Sequence, residues 1–211
     1  MILYKYSMKK PTFQEEKRLR KKGYKKIAGI DEAGRGPLCG PVVACAVCLD
    51  WSKLNPKIDL GQIRDSKQLT AKQRERLYSI LTKHSYVELG VGKVSEKVID
   101  RINIYQATRL AMKKAVNNLS KKPDFLILDG NMQIDLDISQ KSIIKADEKV
   151  FSCSCASIIA KVVRDRIMQR YHKKYPLYGF FQHKGYPTRF HRRMLRKHGP
   201  CKLHRTSFRL A

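Results

Sequence analysis

Hydrophobic positions along the chain fall into short apolar blocks separated by helical stripes. Ile27-Ala28-Gly29-Ile30 is a short block that ends on Asp31-Glu32, and the turn formers Gly34-Arg35-Gly36-Pro37 follow it. The next apolar run, Val42 to Leu49, is therefore expected to return antiparallel beside the first. Thr70 and Gln73 form a capping box ahead of a helix to about Lys83, with Leu77, Ile80 and Leu81 on one face. Tyr86 to Val94 alternates as a third strand. From Asn103, the residues Ile104, Ala107, Ala111, Ala115 and Leu119 recur at helical spacing, and Pro123 closes the helix. A strand from Phe125 to Leu128 ends on Asp129-Gly130, and another from Ser142 to Lys145 ends on Ala146-Asp147. A long helix from about Ser154 to Tyr171 buries Ala156, Ile159, Ala160, Val163 and Ile167. Residues 1–23 read as a basic lead-in, with a short helix from Thr12 to Lys21 that lacks an apolar face broad enough to fix it tightly.

This order predicts an α/β fold with a mixed sheet and helices on its faces. The first, fourth and fifth strands each run apolar and then reach a carboxylate. Ligands of open α/β sheets gather at the carboxyl ends of parallel strands. If these three strands are parallel neighbours, Asp31, Asp129 and Asp147 converge on one edge.

Composition sharpens the picture. With 42% of 211 residues apolar, the chain can bury one core and a short appendage. Lys and Arg outnumber Asp and Glu by 45 to 18, a net charge of +27, which points to a polyanionic partner. After Asp165 there is no acidic residue, while Arg166 to Arg209 supplies thirteen Lys and Arg, so this tail is expected to face phosphates. Cys45 and Cys48 form a C-x2-C pair of the kind zinc sites use. Three apart in a strand, however, they point to opposite faces, and the cysteines read as free, buried thiols of a reducing compartment. No apolar stretch approaches the roughly eighteen residues of a membrane span, and Met1 to Lys10 lacks the apolar core of a signal peptide. A cytoplasmic location is expected.

Three or four clustered carboxylates repel one another by about 4 kcal/mol per close pair at an effective dielectric near 20, so they need a cation or a shared proton. Oxygen-only ligands suit Mg²⁺ or Mn²⁺ rather than zinc. Two such ions about 3.5–4 Å apart serve in-line phosphoryl displacement, the usual route for nucleases. Each carboxylate also has a plainer reading. A lone Asp at a strand end is usually a turn or a helix cap, and Asp65, Asp135 and Asp137 are argued almost as well from local pattern. Glu32 adjoins Asp31, so in a regular strand the two face opposite ways, and sharing a metal requires the chain to turn there. The residues alone thus give a nuclease hypothesis without a substrate.

The segment Gly29-Ile30-Asp31-Glu32-Ala33-Gly34-Arg35-Gly36-Pro37 resembles type 2 ribonuclease H, the ribonuclease HII family. The resemblance continues through Asp65-Ser66-Lys67, Asn103 to Thr108, Leu128-Asp129-Gly130, Lys145-Ala146-Asp147, Ala156 to Val162, Arg164-Asp165, Tyr178 to Thr188 and His204-Arg205-Thr206-Ser207-Phe208, spanning about residues 24 to 208 in order. It implies a ribonuclease H-like fold with a five-stranded mixed sheet: a lead-in over 1–23, a catalytic domain over 24–171, and a helical basic extension over 172–211. It further implies that Asp31, Glu32, Asp129 and Asp147 are the catalytic, metal-binding carboxylates, served by Mg²⁺ or Mn²⁺. Gly34-Arg35-Gly36 matches the loop that recognises the ribonucleotide sugar, Tyr186 the tyrosine at the RNA-to-DNA junction, and Lys67 a phosphate contact. The implied substrates are RNA/DNA hybrids and duplex DNA carrying single ribonucleotides, cut on the 5′ side to leave a 3′-hydroxyl and a 5′-phosphate. A monomer is expected, with recruitment by a replication clamp or polymerase as an open partner question. Two departures stand out: Lys145-Ala146-Asp147 replaces the usual Lys-Gly-Asp, and Cys153 and Cys155 stand where small apolar residues are common. The short lead-in and Arg35 favour type 2 over the related type 3 enzymes, which carry a platform domain.

Two rival functions compete with this reading. A non-catalytic RNA-binding protein fits the basicity but has no use for clustered carboxylates. Another nuclease or integrase of the same fold is disfavoured by Gly34-Arg35-Gly36 and Tyr186. His183 is a candidate proton shuttle, with a structural or phosphate-contacting role as the stronger reading. Tyr171, Tyr175 and Tyr178 alternate with basic residues and offer either stacking surfaces or helix packing.

Overall fold

The computed structural model describes residues 10–53 and 63–210. The polar stretch 1–9, read above as lacking a signal-peptide core, lies outside them. Among the described residues no helix is long and apolar enough to cross a membrane.

Five strands form one sheet: β1 (Ile27–Ala33), β2 (Val42–Leu49), β3 (Val87–Val94), β4 (Phe125–Asp129) and β5 (Ser139–Ile143), in the spatial order β3-β2-β1-β4-β5. β1 pairs antiparallel with β2, and β2 with β3; β1 pairs parallel with β4, and β4 with β5. The sheet is mixed, as expected, and its three parallel strands are the three that lead toward carboxylates. Strand β2 is buried along its whole length, which is why it reads as an unbroken apolar run instead of an alternating one.

Helix α3 (Glu96–Asn117) covers one face of the sheet, where Ala107, Ala111, Met112 and Ala115 pack on Ala28, Ile30, Ala44, Ala46 and Leu128. Helices α2 (Ala71–Lys83) and α5 (Phe151–Lys174) cover the other, where Leu77, Leu81, Ala156, Ile159 and Ala160 pack on Cys45, Val47 and Leu49. Cys45 and Cys48 fall on opposite faces of β2 and are free thiols. The Thr70–Gln73 capping box forms.

Four local readings change. Helix α3 begins at Glu96, and Asn103 lies inside it with φ 61°; its side chain accepts from Gln106 N–H at 3.0 Å, so it caps the second half of a kinked helix. That cap is the start signal visible in the sequence. Strand β5 starts three residues and ends two residues earlier than expected, because its half-exposed positions carry no apolar block to mark them. Helix α5 begins at Phe151 and runs past Tyr171 to Lys174. Helix α1 (Gln14–Lys21) is anchored rather than loose: Leu19 is buried, and the buried Glu16 carboxylate accepts from Ser152 N–H at 2.9 Å and Ser152 Oγ–H at 2.8 Å. An acidic group at the N-terminus of α5 satisfies a backbone donor that the helix leaves open.

After α5 the chain forms the one-turn α6 (Phe180–His183) and then α7 (Arg189–His198). Leu195, Leu203, Tyr178 and Phe180 pack on Leu38, Cys39 and Met168, tying the C-terminal segment to the connection between β1 and β2.

Candidate active site

Asp31 sits on β1 opposite Cys45, and the strand continues through Glu32 to Ala33. The chain therefore does not turn between the two carboxylates, and they leave opposite faces of the strand. Asp129 is the last residue of β4. Asp147 is not at a strand end: after β5 the backbone reverses at Lys145, φ 58°, and Asp147 is the second residue of the one-turn helix α4 (Ala146–Lys149). That reversal delivers it to the same edge. Carboxylate oxygens of Asp31, Asp129 and Asp147 all lie within 4.8 Å of one another. Glu32 is outside this group, with its Oε1 3.4 Å from Arg35 Nη1.

The cluster is electrostatically loaded. Burial, followed by the charges of Glu32 and Asp129, holds Asp31 well above the usual carboxylate range, against a hydrogen bond from Ser157. Asp129 is raised by burial and by Asp147, against the Ala146 N–H that it accepts at 2.6 Å. Glu32 is raised by burial, with Arg35 pulling the other way and Asp129 adding to the rise. Lys67 Nζ lies 3.1 Å from Asp147 Oδ2. Burial alone would lower the Lys67 pKa, but the hydrogen bond to Asp147 and the surrounding carboxylates carry it above the ordinary lysine value. Oxygen donors crowded in this way suit a hard divalent cation, and the residues present fit Mg²⁺ or Mn²⁺.

Around the cluster stand the other residues singled out from the sequence. Asp65 caps the short 3-10 helix Ser66–Gln68, accepting from Lys67 N–H at 2.9 Å, so it is a cap and lies outside the carboxylate group. Asp135 pairs with Lys113 on the surface. The Gly34–Gly36 loop follows directly on Glu32. Gly34 has φ 101°, and a Cβ there would collide with the Arg164 side chain, so only glycine fits. Tyr186 is 42% exposed and lies against Gly36, where a Cβ would stand 3.8 Å from its ring. Both ring nitrogens of His183 are taken by backbone: Nε2 is 2.7 Å from Tyr178 O, and Nδ1 accepts from Gly185 N–H at 3.1 Å. Burial lowers its pKa. This is a structural histidine.

Sequence reasoning assigned no role to four residues that hold this site. Arg205, fully buried, donates to Gly34 O at 2.6 Å, Arg35 O at 2.9 Å and Gly40 O at 2.8 Å. Arg164, also fully buried, donates to Pro41 O at 3.0 Å, Cys39 O at 3.2 Å and Lys184 O at 3.1 Å. Two guanidinium forks thus fix the glycine loop and join it to the segment bearing Tyr186. Arg74 holds the loop bearing Lys67 by donating to Ser66 O at 2.8 Å and Leu69 O at 2.5 Å. Ser157 sits between Ser66 Oγ, 2.9 Å away, and Asp31.

Comparison with known proteins places the chain in a family. The family model of ribonuclease HII matches residues 28–211. The chain is 52% identical over 188 residues to ribonuclease HII of Syntrophus aciditrophicus, covering 89% of this chain and 86% of the relative. Among solved structures, ribonuclease H2 of Pyrococcus horikoshii matches with a TM-score of 0.73 at 30% identity, covering 88% of this chain and 95% of that one. Ribonuclease HII of Archaeoglobus fulgidus, in complex with PCNA, matches with a TM-score of 0.72 at 27% identity, covering 88% and 96%. With a family match over most of its length and relatives that share about half its residues, this chain belongs to the ribonuclease HII family and is a metal-dependent endoribonuclease of RNA/DNA hybrids.

Proposed function

We propose that the enzyme also cuts duplex DNA on the 5′ side of a single embedded ribonucleotide, leaving a 3′-hydroxyl and a 5′-phosphate. The observation that carries this reading is the contact of Tyr186 with Gly36, two residues from the start of a glycine loop that follows directly on Glu32. A protein separates RNA from DNA chiefly through the 2′-hydroxyl, which needs a close polar contact. A glycine backbone lets amides and carbonyls of residues 34–36 approach a sugar closely. The exposed Tyr186 ring offers a face on which the next deoxyribose rests.

Asp31, Asp129 and Asp147 are the residues that would hold Mg²⁺ or Mn²⁺, and Glu32, which leaves the other face of β1 but lies close enough for its charge to act on Asp31 and to feel that of Asp129, would border the ion. Such ions supply water activation and stabilise charge on the leaving oxygen when bound. The protein's own groups do the positioning. Lys67, paired with Asp147, and Arg35, paired with Glu32, are exposed cations at the rim, ready to meet phosphate oxygens. Arg205 and Arg164 keep the sugar-reading loop from shifting. The acid-free C-terminal segment adds phosphate affinity along the duplex. Because the Archaeoglobus relative forms a complex with PCNA, recruitment by a sliding clamp is a further part of this reading.

The test compares cleavage rates on duplex DNA with one ribonucleotide, on an all-RNA/DNA hybrid and on all-DNA duplex, with Mg²⁺ or Mn²⁺ and with chelator. Tyr186→Ala is expected to lose most activity on the single-ribonucleotide duplex. A Tyr186→Ala enzyme as fast as wild type on that substrate refutes the junction-reading role. Equal cleavage of all-DNA duplex by wild type refutes the selectivity altogether.

A further inference from the structure

A second group of metal-ligating side chains lies outside the carboxylate cluster. Residues 38–40 and 203–205 run antiparallel: Gly40 N–H donates to Leu203 O at 2.9 Å, and Arg205 N–H donates to Leu38 O at 2.9 Å. Cys39 and His204 are therefore cross-strand partners between these two bonds, the arrangement in which facing side chains stand closest. His191 arrives from α7, with its Nε2 3.0 Å from His204 Nε2. The Cys39 Sγ and one nitrogen of each imidazole all lie within 4.8 Å of one another, and all three residues are buried.

The outer nitrogens decide what the inner ones present. His191 Nδ1 is 2.9 Å from Tyr186 O, a carbonyl that only accepts, so Nδ1 carries the proton and Nε2 is a bare lone pair. His204 Nδ1 lies between the N–H and the O of Cys201, at 2.9 and 3.2 Å. In the metal-free protein Cys201 N–H donates to His204 Nδ1 and His204 Nε2–H donates to His191 Nε2. Moving that one proton to His204 Nδ1, which also faces Cys201 O at 3.2 Å, leaves two imidazole lone pairs and a thiol converging on one point.

The geometry points to a soft-metal site at Cys39, His191 and His204, suited to Zn²⁺ and separate from the hydrolytic centre. Thiolate and imidazole donors select zinc over Mg²⁺ or Mn²⁺. On binding, the Cys39 S–H bond breaks, its proton leaves to solvent, and the thiolate pair forms the bond to the metal. Burial pushes the Cys39 thiol up to about 12, with Arg164 and Arg205 pulling the other way, so the metal itself has to displace the proton. The half-buried Cys201 lies outside this three-residue group, which leaves a water for the fourth position of a tetrahedral site. Such a site would clasp the connection after the glycine loop to α7 and the C-terminal turn. This pairing is invisible to the C-x2-C motif at Cys45 and Cys48, whose thiols lie on opposite faces of the sheet.

The full chain, stripped with chelator, is titrated with CoCl2. The expected result is a near-ultraviolet thiolate-to-cobalt charge-transfer band with intense visible bands of tetrahedral cobalt, saturating at one ion and displaced by ZnCl2. These bands are retained in Asp129→Asn and lost in Cys39→Ala, while Cys39→Ala still cleaves an RNA/DNA hybrid in Mg²⁺. Weak bands of oxygen-coordinated cobalt that vanish in Asp129→Asn overturn the proposal, as does a charge-transfer band that survives Cys39→Ala. Should Cys39→Ala be too unstable to assay, the wild-type melting temperature decides. Equimolar ZnCl2 is expected to raise it in Asp129→Asn as it does in wild type. No rise in either protein leaves His191 and His204 as a hydrogen-bonded pair and overturns the site.

Discussion

Replacing Asp129 by asparagine is expected to stabilise the metal-free protein while abolishing its activity. Two full charges 4.8 Å apart repel by about 3.5 kcal/mol at an effective dielectric of about 20, and Asp129 has two such neighbours in Asp31 and Asp147. Partial protonation relieves some of this, and Lys67 offsets part of the Asp147 charge. Asparagine keeps an oxygen to accept from Ala146 N–H. A net gain of about 2 kcal/mol follows, which for a chain of this length raises Tm by roughly 4–8 °C. The pH dependence has a definite sign. Asp31, Glu32 and Asp129 have folded pKa values raised above their unfolded ones, so the folded state binds more protons. Their contribution is fully present below the unfolded carboxylate values and is lost as pH rises through the raised ones. The Tm gap between Asp129→Asn and wild type should therefore widen from pH 4 toward pH 8 in chelator, and Mg²⁺ or Mn²⁺ should close it by stabilising only the wild type. Hybrid cleavage by Asp129→Asn should fall about 100-fold or more. A variant with unchanged or lower Tm in chelator at pH 8, or with near wild-type cleavage, refutes the cluster as drawn.

Three further outcomes test the framework. Arg205→Lys cannot reproduce a fork that serves three carbonyls; it should lower Tm by roughly 6–12 °C, equivalent to about 3 kcal/mol, and reduce single-ribonucleotide cleavage more than hybrid cleavage. Equal losses on both substrates, measured side by side, would mean the loop does not read the sugar. Neutralising Arg192, Arg193, Arg196 and Lys197 on α7 together should flatten the slope of log K against log salt by about 0.9 for each phosphate of B-form DNA that they neutralise, and an unchanged slope places this helix away from the duplex. Glu16→Ala should cost about 2 kcal/mol in denaturant melts by opening the Ser152 hydrogen bonds, whereas Glu16→Gln stays close to wild type; equal stability of Glu16→Ala and wild type contradicts the anchoring of α1.

What was legible in the sequence follows from how each feature is encoded. Buried strands announce themselves as apolar blocks, so β1, β2 and β4 and the convergence of Asp31 with Asp129 were readable from periodicity and strand order. Apart from the family resemblance, Asp147 was readable as a member of the cluster by assuming that β5 delivers it directly. Its delivery depends instead on a left-handed Lys145, a conformation that a lysine codon does not advertise. Glu16 looked like one charge among many on a basic helix, because nothing local shows that Ser152, 136 residues away, will present it with a backbone donor.

The buried arginines are the sharpest case. By composition an arginine on a +27 chain belongs to the surface, and although Arg164 and Arg205 fall within the family motifs, nothing in the sequence marks them as buried. Their burial is forced by the glycine loop. A loop that runs outside both helix and sheet has carbonyls that neither can satisfy, and leaving Gly34, Arg35 and Gly40 unpaired would cost roughly 1–3 kcal/mol each. A guanidinium carries several donors in one rigid plane, so one side chain from the last turn satisfies all three at once. The partner that closes the loop lies 170 residues beyond Arg35, which makes the end of the chain part of the site that its beginning builds.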